Sequence, residues 1–166
     1  MFKFITEKES AGSGSVLVLG SANGSGNLGD EAMFESLAFY YYENFPQIDI
    51  ITDASCMSYK APCENVKEIF PMYGANRTSF IQRGLEFLFL HLTPRLAIWY
   101  VKNFNSDLKD YYKSILKSEY IIISGAGAIN SRYKGYGIYG WGSVVLLAKA
   151  LNKNVYITGQ GLGPIY

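Results

Sequence analysis

Apolar positions in this chain fall into short blocks that alternate between two spacings. Val16-Leu17-Val18-Leu19 is an unbroken apolar run and predicts a first strand over Ser15 to Gly20. Phe34, Leu37, Ala38, Tyr41 and Phe45 then recur at helical spacing, which predicts one inward helix face. Asn27 is placed to cap that helix, with Asp30 three residues on, and Pro46 stops it. Ile48 to Thr52 is β-branched and reads as the second strand. Asp53 to Asn65 carries turn formers and reads as a loop, and Val66 to Phe70 as a third strand closed by Pro71.

Residues 78–102 are strongly apolar but interrupted by Glu86, His91, Pro94 and Arg95, so a membrane span is not expected. They read as a buried helical pair bent at Pro94, in which His91 packs. The alternative is an interfacial hairpin that meets a lipid-linked acceptor. Ser106 to Ser118 follows as a helix with Leu108, Tyr112, Ile115 and Leu116 inward. Tyr120 to Ser124 reads as a strand apolar enough to be buried on both sides. A loop over Arg132 to Trp141 leads to a helix facing inward with Val144, Leu147, Ala148 and Leu151, and Val155 to Thr158 is the last strand. The alternation predicts an α/β fold: a Rossmann-like parallel sheet with helices on both faces. Residues 1–14 read as a flexible tail and 15–166 as one domain. Because the chain stops just after a strand and its glycine turn, a further C-terminal domain or partner chain is expected.

Three glycine-rich segments follow predicted strands: Gly20 to Met33, Ser124-Gly-Ala-Gly127 and Gly159-Gln-Gly-Leu-Gly-Pro164. In an open α/β sheet such loops gather at the carboxyl edge, where backbone N–H groups and helix N-termini form seats for polar ligands. Asn27, Gly29, Glu31, Gly125, Gly127, Arg132, Gln160, Gly161 and Gly163 are the binding candidates, and Asp30 is the candidate base. Gly26-Asn-Leu-Gly-Asp-Glu-Ala32, Ile122-Ile-Ser-Gly-Ala-Gly127 and Gly159-Gln-Gly-Leu-Gly-Pro164 resemble, in order, three motifs of the polysaccharide pyruvyl transferases. Ala126 stands where that family has the second of three glycines. The resemblance spans residues 16–164 but only about the first half of a family member. It implies the N-terminal half of a two-domain fold like the GT-B glycosyltransferases. It also implies transfer of a pyruvyl group from phosphoenolpyruvate to two hydroxyls of a glycan or lipid-linked sugar, in cell-surface polysaccharide synthesis. The basic residues that hold phosphoenolpyruvate would then come largely from the second domain, so this chain alone is expected to be inactive. A GT-B glycosyltransferase half using a sugar nucleotide, and a noncatalytic fragment or binding module, are the alternatives.

Composition narrows the chemistry further. Gly24-Ser-Gly-Asn-Leu-Gly29 fits the dinucleotide pattern, but Asp30 and Glu31 sit where a pyrophosphate needs positive potential. The same carboxylates suit a sugar, accepting hydrogen bonds from hydroxyls or removing a proton from one. They also stabilise the helix N-terminus in their own right. One histidine and two cysteines do not suggest a metal site, and no cofactor is expected beyond phosphoenolpyruvate as donor. A net charge of +1 gives no reason to expect nucleic acid or an anionic membrane. Fourteen tyrosines and ten phenylalanines are enough that some should lie on a surface for a sugar or partner. Cys56 and Cys63 read as free thiols, and the first residues are too short and charged for a signal peptide, so a cytoplasmic location is expected, with membrane association as the variant of it.

Overall fold

A computed structural model describes residues 14–20, 28–56, 59–72, 80–103, 108–124 and 136–158. Strands β1 (Ser15–Leu19), β2 (Asp49–Ala54), β3 (Val66–Pro71), β4 (Tyr120–Ser124) and β5 (Asn154–Thr158) form one sheet. Its order is β3-β2-β1-β4-β5, with every neighbouring pair parallel. The helices are α1 (Leu28–Asn44), α2 (Phe80–Leu92), α3 (Pro94–Asn103), α4 (Leu108–Lys117) and α5 (Tyr136–Ala150). The chain is therefore a Rossmann-like α/β fold.

Alternation along each strand divides the core in two. Val16, Val18, Ile50 and Ile122 point to one face, where Phe34, Ala38 and Tyr41 of α1 cover them. Leu17, Leu19, Ile51, Ile121 and Ile123 point to the other, under α3, α4 and α5. β1 and β4 lie inside the sheet and are apolar on both faces, as their unbroken runs require. The inward faces expected for α1 and α5 are the ones observed, with Leu37, Phe45 and Leu151 partly buried.

Several expectations are corrected. β2 runs on through Asp53 and Ala54, because both pair with β3 and Tyr111 donates to the Asp53 carboxylate inside the fold. Helix α5 begins at Tyr136, inside the stretch expected to be loop. Gly142 makes a packing notch in it: a Cβ there would stand 2.8 Å from the Phe87 ring of α2. In α4 the buried row is Leu108, Tyr111, Tyr112 and Ile115, while Leu116 is exposed one position out of phase.

The pair α2–α3 forms as expected, with the Thr93 carbonyl accepting from the Ala97 N–H of α3 and Pro94 at the first position of that helix, where a missing N–H costs nothing. It is not a buried pair. α2 packs on α5 rather than on the sheet, so only part of its circumference finds cover. Ile81, Leu85, Leu88, Phe89, Leu92, Leu96 and Trp99 remain exposed. His91 is exposed too, and has no packing role.

Candidate functional site

After β1 the chain goes to β2 on one side, and after the crossover from β3 it returns to β4 on the other. That reversal is a topological switch point, and ligands of open α/β sheets bind outside the carboxyl ends of the strands that flank it. The three glycine-rich segments leave from β1, β4 and β5, which are consecutive in the sheet. Gly20, Ser124 and Thr158, where those segments begin, therefore stand along one edge. Asn27, Gly125, Gly127, Arg132, Gln160, Gly161 and Gly163 lie outside the described residues.

Gly20 fixes how the first segment departs. Its φ is +94°, a conformation natural to glycine, and a Cβ there would lie 3.0 Å from the Ser124 carbonyl oxygen of β4. On its other side the Gly20 N–H donates to the Asp53 carboxylate at the end of β2. Tyr111 Oη of α4 donates to Asp53 Oδ2 at 2.6 Å, and the Tyr111 ring meets Phe70 edge-on at 4.9 Å. Beneath the edge, Thr52 Oγ1 donates to the Val18 carbonyl at 2.8 Å. The exit of β1 is thus held to β2 by buried hydrogen bonds and lies close against β4 at Ser124.

Asp53 is fully buried. Loss of water pushes its carboxyl up to about 6, against the pull of Tyr111, its own backbone N–H and Gly20, which favour the ionised form. Sequence reading missed this residue because it assigned it to a loop. The available signal was a single carboxylate at the end of a β-branched run, where a parallel strand meets its ligand edge. Its side chain turns under α4 instead of out toward the edge, which also removes it as a ribose ligand of the dinucleotide pattern.

Gly29, Asp30 and Glu31 occupy the first turn of α1, which starts directly after Asn27. Two carboxylates there complement the positive end of the helix. Partial burial raises the Asp30 carboxyl above its ordinary value. One turn further, Ala32, Met33, Ser36, Leu37 and Tyr40 of α1 line a cleft of about 530 Å³ with Ser124 and Thr158 of the sheet. Its described lining is neutral, combining an exposed tyrosine ring with hydroxyls, and carries no lysine or arginine. Three further tyrosines, Tyr41, Tyr120 and Tyr156, cluster toward the opposite end of the strands. There Tyr41 and Tyr120 share a hydrogen bond of 2.8 Å, and Tyr156 meets Tyr120 edge-on. Burial raises both hydroxyls of that bonded pair.

Among the described residues no cluster of His, Cys, Asp and Glu could hold a metal ion, and no helix is long and apolar enough to cross a membrane. Cys63 Sγ donates to Asn65 Oδ1 at 2.9 Å, and both cysteines are free. Compared with known proteins, this chain matches no family model and no solved structure.

Proposed function

We propose that this chain is the Rossmann-like half of a polysaccharide pyruvyl transferase, forming one wall of a two-domain cleft. The observation that carries the reading is the placing of β1, β4 and β5 side by side, so that the three motif-bearing segments leave one edge in the order the family has them. Asp30 supports it as well: a carboxyl in the first turn of α1, raised by burial, is better matched to taking a proton than an ordinary surface aspartate. In the reaction, the methylene carbon of phosphoenolpyruvate gains a proton, a glycan hydroxyl attacks the carbon that bears the phosphate, and the phosphate departs. A second hydroxyl closes the ketal; of the two hydroxyl protons lost, one balances the proton gained by the methylene carbon and the other leaves with the phosphate. Asp30 takes the proton from an attacking hydroxyl. Asn27, Gly29 and Glu31, with Gly125, Gly127, Arg132, Gln160, Gly161 and Gly163, bind the substrates. The uncharged cleft beside Tyr40, lined by apolar side chains together with hydroxyls, suits the acceptor sugar, whose ring can stack on an aromatic face.

The test joins this chain to the C-terminal half of a family member and supplies phosphoenolpyruvate with a pool of lipid-linked glycans. Acceptor-dependent phosphate release, with a pyruvyl ketal seen by mass spectrometry, is the expected result. Asp30→Asn should lower that turnover by roughly 10²–10⁴-fold, the usual scale for a general base. A rate unchanged by the substitution leaves Asp30 as a helix-end charge only. Release of a nucleoside diphosphate from a sugar nucleotide, with phosphoenolpyruvate untouched, would move the chain to the glycosyltransferases.

A further inference from the structure

The outer face of α2–α3 is the largest feature that the candidate site does not use. Ile81, Leu85, Leu88, Phe89 and Leu92 fall within roughly 100° of the α2 circumference at helical pitch. Leu96 and Trp99 continue the row past Pro94, at the spacing an unbroken helix would have. Ile81 is 73% exposed, Leu92 63% and Trp99 55%. A contiguous apolar row of this length on a soluble surface marks a contact.

Charge indicates which contact. The whole chain balances 15 lysines and arginines against 14 acids, yet from Ile69 to Ser106 the only acid is Glu86, against Arg77, Arg83, Arg95 and Lys102. Glu86 is buried, whereas Arg95 and His91 are exposed beside the apolar row, and Lys102, also exposed, holds its ammonium 5.8 Å from the centre of the Tyr112 ring of α4. The overall charge of +1 conceals this segregation. A second copy of the same face would bring like charges together, and a neutral protein surface would leave the cations unused. A bilayer with anionic headgroups accepts both: apolar side chains enter the acyl boundary, while the cations remain at headgroup level.

We infer that the outer face of α2–α3 is a membrane-surface contact, seating the helical pair in the interface of a bilayer that carries anionic lipid. The inference is independent of the pyruvyl-transfer reading, since it rests on neither the glycine segments nor the cleft. It is tested on the full chain by co-sedimentation with vesicles of equal parts phosphatidylglycerol and phosphatidylcholine, and by quenching of fluorescence with brominated lipid in a Trp141→Phe background, where the emission comes from Trp99. Binding and quenching are expected, both weakened by salt and by phosphatidylcholine alone. Leu88→Glu with Leu92→Glu should reduce partitioning on the order of 100-fold or more. Because both positions are exposed, the unfolding midpoint should stay where it was. Arg95→Ala with Lys102→Ala leaves the apolar row intact and should reduce binding roughly 10–30-fold at low salt. A chain that stays in the supernatant with anionic vesicles, its Trp99 unquenched, overturns the proposal. Self-association that the double glutamate variant abolishes, without vesicle binding, overturns it in favour of a second copy as the occupant.

Discussion

Asp53 is a carboxyl in the dry interior whose two identified partners outside its own backbone are Tyr111 and the Gly20 N–H. Its folded value of about 6 lies above the ordinary 3.8, so the folded state holds the proton more tightly than the unfolded chain does. Stability from this group is therefore full below about pH 4 and is lost as the pH rises through 6. The shift corresponds to roughly 3 kcal/mol. Denaturant unfolding across this range should show wild type losing stability relative to Asp53→Asn as the pH climbs. Parallel curves for the two proteins would contradict the assignment. Tyr111→Phe removes a donor to the ionised form, so it should carry the loss to higher pH. These atoms also hold the Gly20 turn, so the residue that shapes the edge differs from the residues that give the motifs their pattern.

At the level of elements, apolar periodicity was a good guide wherever one neighbour decides the burial. β4 was legible to the residue, and α1 was legible by its inward face, since each meets a continuous apolar surface. Position and composition were misleading where the partner is remote. The carboxylate of Asp53 resembles turn chemistry until Tyr111 is brought beside it, and the glycines and tyrosines from Tyr136 to Trp141 resemble a loop until they are seen to open α5. For α2 the apolar content was clear, but its location one layer away from the sheet was not, because no local spacing encodes which side a helix will find covered. The candidate site was legible as an edge, from the strands that precede its glycine segments, whereas the Asp53–Gly20–Ser124 clamp beneath it was not. The notch predicts a specific coupling. Gly142→Val should cost about 1–3 kcal/mol by forcing the Phe87 ring aside. Phe87→Ala should remove most of that cost, which a double-mutant cycle by chemical denaturation would register as non-additivity. Additive losses would mean that the two helices do not meet there.

The sheet of the whole molecule has two edges among the described residues. β3 carries exposed Lys67 and ends in Pro71, features that discourage further pairing. β5 carries neither: Ile157 is 54% exposed and Tyr156 is also open. Ile157→Lys should reduce concentration-dependent light scattering while changing stability by less than about 0.5 kcal/mol. Scattering that persists would locate the association on α2–α3 instead. The strand order has a consequence in time as well as in space. β1, α1, β2 and β3 are consecutive in the chain, but the seam between β1 and β4 pairs Val16 with Tyr120, with β2 and β3 lying between them in the chain. Closing so long a loop is entropically costly until the crossover helices have formed. A chain still emerging from the ribosome can lay α1 over its first three strands, yet it has no switch point at which to hold a ligand until Ser124 has been made.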